Sequence, residues 1–359
     1  MTETKRVPIG EQQRRHWQRR RILVWTVTAL AFLTAYFHRT VIGVVADSLM
    51  RDFSMERATD LGILASIYFW TYAVLQIPAG VMADLFGPRR VISFALLLSA
   101  AGTTIFGFTD TLWVLYVGRF VTTLGIGVVF VSMIKLQAEW FRRSEFATMC
   151  GLIVFIGNSG SLFSASPMAL IVEAWGWRSA FLMIAAYSVV MAAACWIIVR
   201  NRPEDLGLPS VAEIEAQEGA PPVPPSPPAV RIIDCINSVL FNRYTWPPII
   251  ASTAIYGVYM AIIGVWGVPY LMQVFGMTRV EASNHILIMA VGNMLGAPLL
   301  GIISDRVLRR RWPFIAATLF FLCALLVLTV WNEARPPAAL LYPLCIAFGF
   351  GVSGITLSA

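Results

Sequence analysis

Apolar residues run along this 359-residue chain in ten long blocks, at 22–47, 61–83, 91–109, 112–134, 147–173, 178–199, 244–275, 281–303, 313–331 and 338–359, with short polar breaks between them. Each block is close to the roughly 20 mainly apolar residues that carry an α-helix across a bilayer. The pattern predicts an all-α, polytopic membrane protein with about ten transmembrane helices. One break is long. Residues 200–243 open with Asn201-Arg202-Pro203-Glu204-Asp205 and include Pro221, Pro222, Pro224, Pro225, Pro227 and Pro228. Such proline density opposes a packed core and favours an extended linker, with a short surface helix expected over 231–240. The chain therefore divides into a basic tail (1–21), a six-helix N-terminal bundle (22–199), a Pro-rich linker (200–243) and a C-terminal bundle of four helices (244–359).

Composition supports the membrane assignment. Hydrophobic residues make up 58% and charged residues 13%, against about 25% charged in soluble domains, and mean hydropathy is +0.71. The natural surroundings are a lipid bilayer. The net charge of +7 is a topology signal and does not indicate a nucleic-acid partner. Of the 27 lysines and arginines, twenty fall in the tail and alternate loops, and five fall in the loops of the opposite side. Basic loops stay in the cytoplasm, so the N-terminus and the linker are expected there, in a multi-pass protein of the cell (inner) membrane. The basic N-terminus precedes a long apolar run without a small-residue cleavage site, which reads as an uncleaved first span. Five scattered cysteines show no paired spacing and read as small hydrophobes. Nothing in the sequence looks like a catalytic triad, a zinc site or a phosphate loop. No enzyme activity and no cofactor are expected.

The two remaining arginines, Arg39 and Arg119, lie inside spans. An arginine at mid-span costs about 2.5–3.5 kcal/mol on insertion scales and so avoids lipid. Arg39 is eight residues before Asp47, and Arg119 is seven after Leu112. At 1.5 Å per residue both lie roughly 10–12 Å below the outer boundary. No Asp or Glu lies well inside a span, so a cavity that accepts a small anionic solute is the functional reading. Pairing with backbone carbonyls, or snorkelling outward, is the plainer one. Tyr68, Tyr72 and Gln76, at four-residue spacing, share a helix face that either lines a cavity or packs. Asn158 stands in a run of small polar residues with Gly157 and Gly160, a pattern that more often permits close helix packing. Tyr256 and Tyr259 are further candidates for a cavity wall.

Two loops share a frame. Gly80-Val81-Met82-Ala83-Asp84-Leu85-Phe86-Gly87-Pro88-Arg89-Arg90 returns as Gly301-Ile302-Ile303-Ser304-Asp305-Arg306-Val307-Leu308-Arg309-Arg310-Arg311. A glycine, an acid four residues on and then clustered arginines, in both hydrophobic halves, indicates an internal repeat. The first loop resembles the signature of the major facilitator superfamily, with Leu85 and Pro88 departing from it; the second keeps Gly301, Asp305 and Arg306. Arg119 with Gly125 and Gly127 is similar to that family's helix-four motif. Tyr36-Phe37-His38-Arg39 resembles the organic-anion branch, the anion:cation symporters, as do Glu139-Trp140-Phe141, Ser144-Glu145-Phe146-Ala147 and Trp175-Gly176-Trp177-Arg178. In that branch an acid stands where this chain has His38.

The resemblance implies a six-plus-six transporter, so ten spans leave the C-terminal bundle incomplete by about two helices. It implies alternating access, with Asp84, Gly87, Arg89, Arg90, Asp305, Arg306 and Glu145 as gating residues at cytoplasmic helix ends. Asp305 is expected to face the 142–145 region, and Asp84 a helix beyond this chain. The expected function is secondary transport of a small organic anion bound by Arg39 and Arg119. His38 is the one titratable neighbour for coupling to H+. The competing expectations are a non-transporting membrane sensor, an inactive truncated relative, or a drug or cation exporter. Buried carboxylates would favour the exporter.

Overall fold

The computed structural model describes residues 11–55, 58–217, 241–306, 311–330 and 337–353. The described residues are almost wholly helical: α1 (Glu11–Asp52), α2 (Ala58–Phe86), α3 (Pro88–Phe108), α4 (Leu112–Ile126), α5 (Val129–Trp140), α6 (Arg143–Phe163), α7 (Ser166–Ile198), α8 (Val211–Gln217), α9 (Trp246–Ala261), α10 (Gly267–Phe275), α11 (Arg279–Arg306), α12 (Arg311–Val330) and α13 (Ala338–Val352). Over their described residues the ten sequence blocks fall almost wholly on these helices; blocks five and six meet within α7, which is kinked at Gly176 (φ 79°, ψ 160°). By length and composition, five described segments are able to cross a membrane. A sixth, in α2, is bent by 54° at Pro78, where the ring removes a helix hydrogen bond.

Several boundaries differ from the sequence expectation. Helix α1 begins at Glu11 and not at residue 22, so the basic tail is helical over its described part. Gln, Arg and Trp in this stretch tolerate the helix, and Trp17 is fully buried. The start of the linker is not extended. Pro203–Leu206 form a 3-10 turn, α8 follows, and Leu208 and Ile214 pack on Trp17. The proline cluster and the 231–240 stretch lie outside the described residues. The 112–134 block is broken at Gly127–Val128, the 147–173 block between Phe163 and Ser166, and the 244–275 block contains a π-helical turn at Ile262–Trp266.

The chain forms two compact units. One comprises Met1–Tyr36, Ile63–Gly160 and Trp175–Val223; the other comprises Phe37–Gly62, Ser161–Ala174 and Pro224–Ala359. Helix α1 contributes to both. The core of the first unit joins Val24, Phe32, Tyr68, Ile92, Leu96, Val129, Trp140 and Cys195. Within it α3 and α4 pack at backbone distance: a Cβ on Gly118 would lie 2.8 Å from the Phe106 amide nitrogen. In the second unit α11 and α13 meet as closely, with a Cβ on Gly292 reaching 2.6 Å from the Ile346 carbonyl oxygen. Close backbone approach at a glycine is how helices associate where lipid removes the hydrophobic drive.

Candidate functional site

In the first unit, close packing of Gly118 against α3 places the neighbouring Arg119 in the interior, 2% exposed. Its guanidinium lies over the Tyr68 ring, 4.9 Å from the centroid. A desolvated cation on an aromatic face recovers part of its lost hydration. Tyr68 is itself held: its hydroxyl donates to the Ala35 carbonyl at 3.2 Å, and its ring stacks on Tyr72 with centroids 6.1 Å apart. Gln76 follows on the same face, but its amide donates to the Tyr72 carbonyl. The Tyr68–Tyr72–Gln76 stripe thus includes a support for Arg119. Asn158 is half-buried on α6; beside it Gly157 fits against the Tyr36 ring and Gly160 against the Leu33 carbonyl.

In the second unit Arg39 is half-buried and its Nη1 donates to the Tyr256 hydroxyl at 2.9 Å. Tyr259 is buried, next to Tyr256 and stacked on Phe348. What brings α1 to this wall is visible one turn on. A Cβ on Gly43 would lie 3.2 Å from the carbonyl oxygens of Gly264 and Val265, which belong to the π-helical turn. Such turns frequently mark functional sites. His38, adjacent in sequence, is 1% exposed and meets Phe37 edge-on. The nine sequence-derived substrate candidates are therefore distributed between the units. Arg119, Tyr68, Tyr72, Gln76 and Asn158 belong to the first, and Arg39, His38, Tyr256 and Tyr259 to the second.

The signature loop shortens to a single residue. Helix α2 runs to Phe86 and α3 starts at Pro88, with Gly87 at φ 79° between them, a conformation natural to glycine. Asp84 Oδ1 pairs with Lys135 Nζ on α5, and Lys135 also donates to the Ala83 carbonyl. Asp84 was expected to face a helix beyond this chain; here its partner lies within its own unit. Arg89 stacks on Trp196 and donates twice to its carbonyl, while the Arg89 amide donates to Asn201 Oδ1. Arg90 is exposed. Glu145 accepts from Arg21 at 2.6 Å. The side chains of Asp305 and Arg306, and with them the expected Asp305 contact, lie outside the described residues.

One ion pair went unnoticed in the sequence. Arg279, at the start of α11, donates to both carboxylate oxygens of Asp47 near the end of α1, at 2.9 and 2.6 Å, and to Ser48 Oγ at 2.8 Å. Arg51 adds a looser contact at 3.5 Å. Both partners stood at span ends, where charges are expected, and only the fold pairs positions 232 residues apart. Among the described residues no His/Cys/Asp/Glu group is arranged to hold a metal ion.

Long helices packed through glycines, several of them long and apolar enough to cross a membrane, mark a multi-pass membrane protein. The Major Facilitator Superfamily model matches residues 28–359, and the chain belongs to that family. It is 26% identical over 302 residues to the membrane sensor protein UhpC of Escherichia coli (strain K12), covering 81% of this chain and 66% of that protein. It is 24% identical over 309 residues to a probable hexose phosphate transport protein of Chlamydia trachomatis serovar D, covering 83% of this chain and 66% of that one. The chain thus spans just under two thirds of the length of these relatives. Its fold matches a bacterial homologue of the human lysosomal transporter Spinster, solved inward-facing and unoccupied, with a TM-score of 0.77 at 17% identity, covering 94% of this chain and 74% of that one.

Proposed function

We propose that the protein is a secondary transporter of a small organic anion working by alternating access, with its N-terminus in the cytoplasm of the cell (inner) membrane. The observation that carries the reading is Arg39: a half-buried guanidinium at membrane depth, steered by the Tyr256 hydroxyl. A planar fork in that setting suits a carboxylate or phosphate. Arg119, fixed over Tyr68 in the first unit, is a second candidate for contact with the anion. The name of the chlamydial relative, a hexose phosphate transport protein, agrees with an anionic solute. The N-terminal six-helix bundle, the linker and the C-terminal helices are its working parts. Asp84, Gly87, Arg89, Arg90, Asp305, Arg306 and Glu145 serve gating at cytoplasmic helix ends, Asp84 through Lys135. The Asp47–Arg279 pair ties the end of the first span to the start of α11 within the second unit. His38 is the group through which H+ coupling would run.

A second reading, a membrane sensor that binds without transporting, is favoured by the name of the UhpC relative. Binding of a panel of hexose phosphates and sugar acids to the purified protein, followed by thermal stabilisation, tests what both readings share. Wild-type protein is expected to be stabilised by at least one anion, and Arg39→Lys to lose that stabilisation. No stabilisation by any anion, or equal stabilisation of the variant, contradicts the anion site.

A further inference from the structure

Helix α1 is 42 residues long, about 63 Å at 1.5 Å per residue, twice the thickness of a bilayer's hydrocarbon core. Its first part, Glu11–Arg21, precedes the apolar run that starts at Ile22. This part is clamped. Trp17 is fully buried beneath Leu208 and Ile214. Arg21 lies over the Trp17 ring at 4.6 Å and over Phe141 at 5.3 Å, and pairs with Glu145. The clamp fixes which side of the helix faces outward. Arg15 and Arg19 share a face four residues apart and stand almost opposite Trp17; Arg14, three residues before Trp17, lies nearer the Trp17 side of the helix, and all three are exposed. Arg15 lies 3.8 Å from Glu11 in an exposed, loose pair.

Distance decides what such a face meets. Arg19 is three residues before Ile22 and Arg14 is eight before it. The most remote of the three is therefore at most about 12 Å along the axis from the start of the apolar run. That is close to one Debye length at cellular salt, the range over which anionic headgroups attract cations.

We infer that Arg15 and Arg19, with Arg14 at the margin, form a preset docking face for anionic phospholipid headgroups, held in place by the Trp17 clamp. The clamp matters because a helix already ordered against Leu208 and Ile214 loses little freedom on binding. A basic arm without that support would have to be ordered by the lipid itself. This inference is independent of the transport reading, since it involves neither Arg39 nor Arg119.

The test is retention of phosphatidylglycerol against phosphatidylcholine by the purified protein, measured by native mass spectrometry after extraction from vesicles containing equal amounts of both. Each cation near the surface is worth roughly a fivefold preference. Wild-type protein is expected to retain phosphatidylglycerol selectively, with retention falling as sodium chloride rises. The triple variant Arg14→Gln/Arg15→Gln/Arg19→Gln should lose at least about fivefold of that selectivity at an unchanged melting temperature. Trp17→Ala, with the arginines intact, should lose part of it. Unchanged selectivity in the triple variant overturns the inference, as does selectivity that resists salt. Loss of selectivity in the triple variant with full retention in Trp17→Ala would keep the face and reject the clamp.

Discussion

A guanidinium inside a membrane span needs a reason to be there, and the two in this chain have different ones. Arg119 is almost sealed and rests on Tyr68; Arg39 is half-buried and shares a hydrogen bond with Tyr256. Arg39→Lys keeps the charge but loses the fork, and anion affinity is expected to fall at least about tenfold, read by equilibrium binding. Tyr256→Phe removes one hydrogen bond, worth about 0.5–1.5 kcal/mol, and should weaken binding by a few-fold only. Equal losses in the two variants would mean that Tyr256 itself contacts the solute. Both arginines were legible in the sequence, because a charge in an apolar block is conspicuous. Tyr68 and Tyr256 were also singled out, but not which arginine each would meet: Tyr256 is 217 positions from Arg39, and no local pattern encodes that distance. Asp47–Arg279 was hidden for the same reason.

Helix existence was written in the apolar blocks, whereas helix continuity was not. The break at Gly127–Val128, the π turn at Ile262–Trp266 and the extension of α1 to Glu11 arise from packing between elements. The clearest packing signal is Gly118, whose missing side chain lets α4 lie on the α3 backbone. Gly118→Leu is expected to destabilise the protein by about 1–3 kcal/mol or more, read as a lower melting temperature in detergent. Gly257→Ala is the control, because nothing lies within 4 Å of the Cβ it would add. That change should be neutral or slightly stabilising. A neutral Gly118→Leu would show that α3 and α4 are not packed as described.

Over the whole molecule, loop charge carries the topology expectation. Twenty basic residues against five predict that the tail and the linker face the cytoplasm. A cysteine introduced at Gln217, beside the proline-rich stretch, should react with an impermeant thiol reagent only when the cytoplasmic face is open. Labelling in intact cells would invert the topology. The Asp47–Arg279 pair also belongs to this scale. Asp47→Asn leaves Arg279 with a weaker partner and should lower the melting temperature of the purified protein. The exchange Asp47→Arg with Arg279→Asp should recover part of the loss.

Transport itself is the central claim, and uptake measures it most directly. The protein expressed from its whole gene is reconstituted in liposomes and offered radiolabelled hexose phosphates and sugar acids, with and without a pH gradient. At least one anion is expected to accumulate in a saturable manner, and Arg39→Lys and Arg119→Ala are each expected to lose most of that uptake at equal incorporation. Saturable binding without accumulation of any anion, or full uptake by both variants, would contradict the account.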